Sequence, residues 1–400
     1  MIKSMNKLFI RLYQKILFVS GLFLKYKKSK IYSGQNKYLN LANDIKNERL
    51  LIVTGKHING LGLLNELRNN LDEKKIFYKI FDQTSSNPDE QEVYLALNIY
   101  KENNLTAILA FGGGSCLDLA KACCCLTNKK NKSLSDLKGL FKVRGKLPLL
   151  IGIPTTAGTG SEVTIASVIS NHQKKEKYAI LSPKLICDKV LFDPYLLTKS
   201  PRKVIAYAGI DALTHALEAY FNKANTSFRI RKEKQAIDLI FKNLVKAYKE
   251  ENNLEYLEKM VKASYLAGLS FSKAYVGYVH ALGHALGAYY NLPHGFLMGV
   301  LLVEVLKSYG SCLDRKIDKL SNSLTLFNPN SSLINKRQKF FTYLEFLKDD
   351  LDLPDSLHGI LKEKDIKKLV NMAYKEAIPL YPVSKLLSKD NLEKILYKLL

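Results

Sequence analysis

The chain has 400 residues, of which 47% are hydrophobic and 24% are charged, so it can form two or three domains with ordinary globular cores. No run of about 18 apolar residues occurs, and the sequence therefore predicts no membrane-spanning helix. The formal net charge of +24 is large. However, the lysines are scattered over the whole chain, and no zinc-finger, basic-zipper or RNA-recognition spacing is present. We therefore predict no specific nucleic-acid partner.

Residues 1–32 form a basic and apolar N-terminal extension. Its apolar run, ILFVSGLFL (16–24), has basic residues on both sides and is followed by KYKKSK (25–30). The run is too short to cross a bilayer, and no small-residue cleavage site of a secretory signal follows it. We expect an amphipathic segment that docks on the protein, and peripheral contact of the N-terminus with a membrane surface is the alternative.

Residues 33–197 are predicted to form an α/β domain. Short apolar runs typical of buried strands alternate here with helical stretches, which indicates a parallel sheet covered by helices. The predicted strands are 50–55, 75–82, 107–115 and 148–156, and the predicted helices are 61–72, 89–103 and 116–126. Residues 198–400 show helical periodicity and few β-branched runs, and we expect an all-α second domain there.

Six cysteines are present, three of them adjacent at 123–125, and none shows C-x-x-C spacing. Such an arrangement does not form a disulfide framework, and it favours reduced thiols in a cytoplasmic protein.

Two loops at predicted strand ends are candidates for phosphate binding. FGGGSCLDLAKA (111–122) places glycines between a strand and a helix, where backbone N–H groups and the helix dipole attract a pyrophosphate. IPTTAGTGSEVT (153–164) supplies small hydroxyl residues after the next strand. Neither loop has a standard nucleotide fingerprint, and the glycine loop by itself is also explained as a tight structural turn. Together the two loops predict a dinucleotide site.

The histidines are concentrated in HALGHALGAYYNLPHG (280–295), which contains three of the seven in the chain. His280 and His284 are four residues apart and share one face of a helix, and Asp211 and His215 repeat that spacing in GIDALTHALEAY (209–220). Two helices that each offer two ligands can converge on one ion. Imidazoles together with a carboxylate suit Fe²⁺ or Zn²⁺ and predict a metal site.

These four motifs, in this order and spacing, resemble the iron-containing (group III) alcohol dehydrogenase family from about residue 35 to the end. The resemblance implies the architecture that this family shares with dehydroquinate synthase, namely a Rossmann-like α/β N-terminal domain and an all-α C-terminal domain. It implies hydride transfer between NAD(P)(H) and a small alcohol, diol or aldehyde, with Fe²⁺, or alternatively Zn²⁺, as the metal. It also implies a homodimer.

The resemblance assigns roles to individual residues. The metal ligands are expected to be Asp211, His215, His280 and His294, with His280 and His284 as the catalytic pair. His284 matches a family histidine on the nicotinamide side that does not bind the metal. Phe271 matches a position in the substrate pocket. The expected cofactor contacts are Gly55, Asn87, Gly113, Gly114, Ser115, Asp118, Thr155, Thr156, Thr159, Thr164 and Lys177.

The sequence departs from the family pattern at Gly55, because NAD-preferring relatives often carry an aspartate after the first strand. Without that carboxylate, a 2′-phosphate is not repelled, and we expect NADP to be at least tolerated. Two other interpretations remain open. One is a zinc polyol dehydrogenase of the same superfamily, and the other is a non-catalytic polyanion- or membrane-binding protein built on this fold.

Overall fold

The computed structural model describes residues 6–128, 130, 133–324, 327–328 and 330–400. The first five residues of the predicted extension therefore lie outside the described part. The chain divides into two compact units. The sheet unit comprises 25–201 together with 250–261, and the helical unit comprises 1–24, 202–249 and 262–400.

The sheet unit contains all nine strands of the described chain. They are β1 (Lys30–Ser33), β2 (Leu50–Val53), β3 (Tyr78–Phe81), β4 (Ala107–Gly112), β5 (Gly139–Leu140), β6 (Leu149–Pro154), β7 (Ala166–Asn171), β8 (Glu176–Leu181) and β9 (Lys189–Phe192). Six of them form a parallel sheet in the order β1-β9-β6-β4-β2-β3. The parallel sheet predicted from the sequence is confirmed, and its four predicted strands correspond to β2, β3, β4 and β6.

Six helices belong to this unit, and several are single turns. They are α2 (Leu41–Asp44), α3 (Lys56–Gly60), α4 (Asn65–Glu73), α5 (Glu90–Glu102), α6 (Gly114–Leu126) and α7 (Leu134–Leu137). Every residue of β2 and β4 is buried, as expected for central strands of a covered parallel sheet. Helix α6 is also buried along most of its length, including Cys123, Cys124 and Cys125. No disulfide joins any of the six cysteines, all of which are described.

A second, three-stranded sheet in the order β5-β8-β7 was not predicted from the sequence. Strands β7 and β8 pair antiparallel, and β8 pairs with β5 in parallel. The extension was also expected to reach residue 32, but β1 begins at Lys30 and pairs with β9 at the edge of the parallel sheet. Edge strands with polar side chains carry a weak sequence signal, since only one face is buried.

The helical unit contains the remaining helices, in agreement with the predicted all-α domain. They are α1 (Lys7–Leu22), α8 (Arg202–Phe221), α9 (Ser227–Lys249), α10 (Leu254–Ala274), α11 (Tyr278–Tyr290), α12 (His294–Ser308), α13 (Asp314–Leu324), α14 (Leu333–Asp349), α15 (Glu363–Ala377) and α16 (Lys389–Lys398). The first turns of α10 are assigned to the sheet unit and its remainder to the helical unit. Helices α8, α11 and α12 are buried along most of their length and form the centre of the helical unit.

No single helix of the described residues has both the length and the apolar composition needed to cross a membrane. Among the described residues, one pair of neighbouring helical segments is long and apolar enough when taken together, namely His294–Ser308 with Gly310–Leu324. The two segments are bent by 101° relative to each other.

Candidate functional site

Three buried helices of the helical unit present the predicted metal ligands. Asp211 and His215 lie one turn apart on α8, His280 lies in the first turn of α11, and His294 is the first residue of α12. Pro293 is the N-cap of α12 and separates His294 from the preceding helix. The i, i+4 spacing therefore places each pair on one helical face, and the turn before α12 brings in the third histidine.

The four side chains converge on one oxygen atom. Asp211 Oδ1 lies 3.6 Å from His215 Nδ1, 3.6 Å from His280 Nε2 and 3.4 Å from His294 Nε2. The ligand atoms of Asp211, His215 and His280 all lie within 4.8 Å of one another. The structure thus brings together all four residues that the sequence proposed as ligands, although they come from three helices.

The cluster contains polar atoms that the protein itself leaves unpaired. Of the six buried side-chain polar atoms without a hydrogen-bond partner among the described residues, three are Asp211 Oδ1, His215 Nδ1 and His280 Nε2. Buried polar atoms without partners cost free energy, and so a group of them facing one another needs an explanation. One carboxylate oxygen and several imidazole nitrogens form a donor set that fits Fe²⁺ or Zn²⁺.

The pKa values of the ligands also suit a cation. Burial lowers the pKa of His215 well below its usual range and lowers that of His294 to about 4, so both rings are neutral near pH 7. Burial works against ionisation of Asp211, but the facing histidines dominate and hold the pKa of its carboxyl well below the usual range. A charged carboxylate and neutral imidazoles are the protonation states that metal ligands require, and Asp211, His215 and His294 are in those states near pH 7.

Glu218, which was not predicted from the sequence, orients His280. The buried Glu218 carboxylate accepts a hydrogen bond from His280 Nδ1 at 2.6 Å and two more from the backbone N–H groups of Gly277 and Val279, at 2.7 and 2.8 Å. This arrangement leaves His280 Nε2 to face Asp211. Despite the burial, the Asp211 and Glu218 carboxylates raise the pKa of His280 to about 9, so its ring must release a proton when it binds a metal.

One sequence signal could have identified Glu218. It lies three residues after His215 and seven after Asp211, on the same helical face as the two ligands. In the structure, the N-terminus of α11 lies against this carboxylate, and a Cβ atom at Gly277 would be 2.6 Å from Glu218 Oε1. Only glycine therefore allows the α11 N-terminus to approach that carboxylate so closely.

His284 lies beside the cluster but faces another carboxylate. Its Nδ1 lies 2.7 Å from Glu376 Oε1, and Glu376 also accepts a hydrogen bond from the Tyr381 hydroxyl at 2.7 Å. The His284 ring stacks against His294 with a centroid distance of 5.3 Å. Glu376 was not predicted, because it comes from α15, far from the histidine motif in the sequence.

Phe271, the predicted pocket residue, contacts a predicted ligand directly. Its ring stacks on His215 with centroids 3.9 Å apart and planes 8° from parallel. An aromatic face at this position keeps water away from one side of the His215 ring and restricts the space next to the cluster.

The two predicted phosphate loops lie side by side in the sheet unit. Strands β4 and β6 pair in parallel with Gly112 opposite Pro154, so both loops leave from the same edge of the sheet. A Cβ atom at Gly114 would lie 2.5 Å from the Thr159 side chain, and one at Gly113 would lie 3.2 Å from Thr156. The glycines therefore allow the loops to pack together at the N-terminus of α6.

A buried lysine, also missed in the sequence, fixes the second loop. Lys121 Nζ on α6 contacts the backbone oxygens of Ser161, Thr164 and Ala166 and the hydroxyls of Ser161 and Thr164. The Ser161 hydroxyl donates in turn to Asp118 Oδ1 at 2.8 Å. Within this network Asp118 and Thr164 bind protein groups and hold the shape of the second loop.

The remaining cofactor candidates lie at or near the carboxyl ends of neighbouring strands, except for Lys177, which lies on β8. Lys177 Nζ donates to Asn87 Oδ1, and the Ser115 hydroxyl donates to the backbone oxygen of Ser86. Gly55 is the N-cap of α3 and forms a bridge with Gln83. Thr155 follows β6, and its backbone N–H donates to the oxygen of Gly112.

Comparisons with known proteins give the same family over both units. The model of the iron-containing alcohol dehydrogenase family matches residues 28–194, and the model of its C-terminal region matches residues 205–400. Alcohol dehydrogenase 4 of Saccharomyces cerevisiae is 36% identical over 284 residues, 70% of this chain and 74% of the relative. The 1,3-propanediol dehydrogenase of Klebsiella pneumoniae is 32% identical over 335 residues, 82% of this chain and 86% of the relative.

A crystal structure of 1,3-propanediol oxidoreductase superimposes with a TM-score of 0.89 at 28% identity, covering 94% of this chain and 100% of that one. Relatives at 30% identity include both an NAD-dependent and an NADPH-dependent dehydrogenase.

Proposed function

The chain belongs to the iron-containing alcohol dehydrogenase family, and on that premise we propose that Asp211, His215, His280 and His294 hold the iron at which it interconverts a small alcohol or diol and its aldehyde. The observation that carries this proposal is the set of three buried, unpartnered atoms facing one another on α8 and α11. When bound, Fe²⁺ supplies a Lewis acid for the substrate oxygen, and NAD or NADP carries the hydride.

Residues of the helical unit have separate tasks in this proposal. Asp211 supplies the negative charge of the cluster, and Glu218 holds His280 with Nε2 directed towards the cluster. Phe271, stacked on His215, excludes water from one side. His284 is oriented by Glu376 and is the group that passes the alcohol proton onward, through water or a ribose hydroxyl.

The sheet unit binds the dinucleotide in this proposal. Gly113, Gly114 and Ser115 place backbone N–H groups at the N-terminus of α6, where a pyrophosphate is favoured by the helix dipole. The neighbouring loop, containing Thr155, Thr156 and Thr159, supplies hydroxyl groups at the same edge of the sheet. Asn87 and Lys177, which contact each other, add an amide and a positive charge.

The experiment that tests the proposal is reconstitution of the metal-free chain under anaerobic conditions. Fe²⁺ and Zn²⁺ are added in parallel, and turnover of short alcohols, diols and aldehydes is measured with NAD(H) and NADP(H). We expect one ion per chain and turnover with Fe²⁺. Turnover of polyols with Zn²⁺ alone would favour the zinc polyol dehydrogenase, and stoichiometric metal without any turnover would favour the non-catalytic alternative.

We also propose that the enzyme is a homodimer of the cytoplasm without a specific nucleic-acid partner, and that any membrane contact is peripheral and made by the N-terminus. The scattered distribution of the lysines supports the absence of a nucleic-acid site. Light scattering coupled to size-exclusion chromatography measures the oligomeric state, and a monomeric mass would contradict the dimer.

A further inference from the structure

Helix α1 is held on the helical unit by one of its faces. Arg11 donates to the backbone oxygen of Val383 at 2.8 Å, and Gln14 donates to the backbone oxygens of Pro379 and Tyr381 at 3.1 and 2.7 Å. Ile10 on the same face is buried. These contacts confirm the predicted docking of the extension on the protein, and they determine which face of the helix remains outside.

The opposite face of α1 is apolar and exposed to solvent. Its large hydrophobic residues are exposed by 44% to 83%: Leu8, Phe9, Leu12, Ile16, Val19, Leu22 and Phe23, the last immediately after the helix. Most are spaced three or four residues apart, so they form one continuous strip along the helix. Single exposed hydrophobic residues are common on proteins, but a continuous strip marks an interaction surface.

The charge around this strip favours one kind of partner. Residues 1–24, the N-terminal part of the helical unit, contain no Asp or Glu and four basic residues: Lys3, Lys7, Arg11 and Lys15. Lys7 and Lys15 lie on α1 itself and are exposed. A basic helix with an apolar face is complementary to a bilayer surface that contains anionic lipids.

A second copy of the chain fits the same surface less well. A two-fold symmetric contact through α1 would bring the basic residues of one copy against those of the other. The helix has 16 residues, which at about 1.5 Å per residue is shorter than the hydrocarbon core of a bilayer. It can therefore lie in a membrane surface but cannot span it.

We propose that the outer face of α1 docks the enzyme on anionic membranes, with the apolar strip inserted between the headgroups. This site is remote in the sequence from every metal and cofactor candidate, and the proposal does not depend on the catalytic one. It also assigns a role to the extension that goes beyond packing against the helical unit.

The test is sedimentation of the full-length, metal-loaded enzyme with vesicles of phosphatidylcholine, either pure or containing phosphatidylglycerol. We expect binding to the anionic vesicles, weakening as salt is added, and little binding to pure phosphatidylcholine. Replacing three residues of the strip, Leu8→Gln, Leu12→Gln and Ile16→Gln, should lower the partition coefficient by about tenfold or more. Alcohol dehydrogenase activity in solution should not change.

The matched control removes exposed hydrophobic residues elsewhere on the helical unit. Leu333, Ile334 and Phe346 are 42%, 56% and 64% exposed and lie on α14. Their triple replacement by Gln should leave vesicle binding unchanged. A second variant, Lys7→Gln with Lys15→Gln, should weaken binding to anionic vesicles by about tenfold while retaining the apolar strip.

The proposal is overturned if the wild-type enzyme does not sediment with anionic vesicles at low salt. It is also overturned if the strip variant changes only the oligomeric state in analytical ultracentrifugation, since the face would then be an interface between copies. Equal loss of vesicle binding in the α14 control would show nonspecific adsorption.

Discussion

Charged side chains are buried both in the metal cluster of the helical unit and in the phosphate loops of the sheet unit. The two regions differ in whether the buried polar atoms find hydrogen-bond partners within the protein. Lys121 contacts five oxygen atoms of the protein. Asp211, His215 and His280 each keep an atom without a hydrogen-bond partner. An unpaired buried polar atom costs free energy. The Lys121 network leaves no such cost and stabilises the conformation of a loop, whereas the metal cluster requires an added group to pair its atoms.

This difference indicates how to recognise a binding site from buried polar residues. Burial or a shifted pKa does not distinguish the two regions, because burial shifts the pKa of Lys121 as well as that of His215. Hydrogen-bond satisfaction does distinguish them. Substitutions in and beside the cluster test whether the unpaired atoms bind the metal.

The largest effect is expected for His280→Ala, which removes one of the four proposed ligands. Metal content should fall by more than half and turnover by about a thousandfold or more, while circular dichroism should show a folded chain. Metal analysis together with steady-state kinetics measures both quantities. Full metal occupancy in this variant would show that the unpaired atoms are not the ligands.

His284→Ala tests the boundary of the cluster, because His284 bonds to Glu376. We expect unchanged metal content and a fall in kcat of about a hundredfold, the usual contribution of a proton-transferring group. The same metal and kinetic measurements apply. Loss of metal here would place His284 among the ligands.

Glu218→Gln tests whether the carboxylate behind His280 acts on the metal. The amide keeps an acceptor for one backbone N–H but loses the charge, and metal affinity should fall by about ten- to a hundredfold. Competition with a chelator measures this affinity. Glu376→Gln is the matched control, since that carboxylate faces His284, and its metal affinity should not change.

Gly55→Asp tests cofactor choice in the sheet unit. Gly55 has φ −106° and ψ 153°, which any residue adopts, and a Cβ atom there would lie 3.3 Å from the backbone oxygen of Thr84. The added carboxylate should repel a 2′-phosphate and shift the ratio of kcat/KM values towards NAD by about ten- to a hundredfold. Wild-type selectivity for NAD beyond a hundredfold would contradict the prediction.

The smallest effect concerns Glu162, a buried carboxyl in the second phosphate loop. Burial raises its pKa from 4.5 to about 7. The folded chain therefore keeps a proton between these pH values that the unfolded chain loses, so this contribution to stability falls as the pH rises through the window. Its slope is at most about 1.4 kcal/mol per pH unit.

Urea unfolding at several pH values should show a flatter pH dependence for Glu162→Gln than for the wild type. Glu102→Gln, at an exposed position of α5, is the control and should retain the wild-type slope. An unchanged slope in Glu162→Gln would show that this carboxyl ionises normally in the folded chain.

The sequence by itself predicted the two fold classes, four of the six strands of the parallel sheet, and the four residues that converge on Asp211 Oδ1. Strand burial, glycine loops and i, i+4 spacing are local properties that a sequence shows directly. The choice of His294 over His284 as a ligand came instead from the resemblance to the family. The additional sheet of β5, β7 and β8 was not foreseen, because its strands are only partly buried and their pairing depends on long-range contacts.

Only the tertiary structure decided the partners of the candidate residues. Glu218 and Glu376 become relevant through helix packing, and Lys121 through the approach of a loop 40 residues later in the chain. The tertiary structure also decided which face of α1 packs on the protein. The α1 sequence is apolar on both faces, and periodicity therefore cannot tell which side docks. The contacts of Arg11 and Gln14 with the segment from Pro379 to Val383 settle that choice.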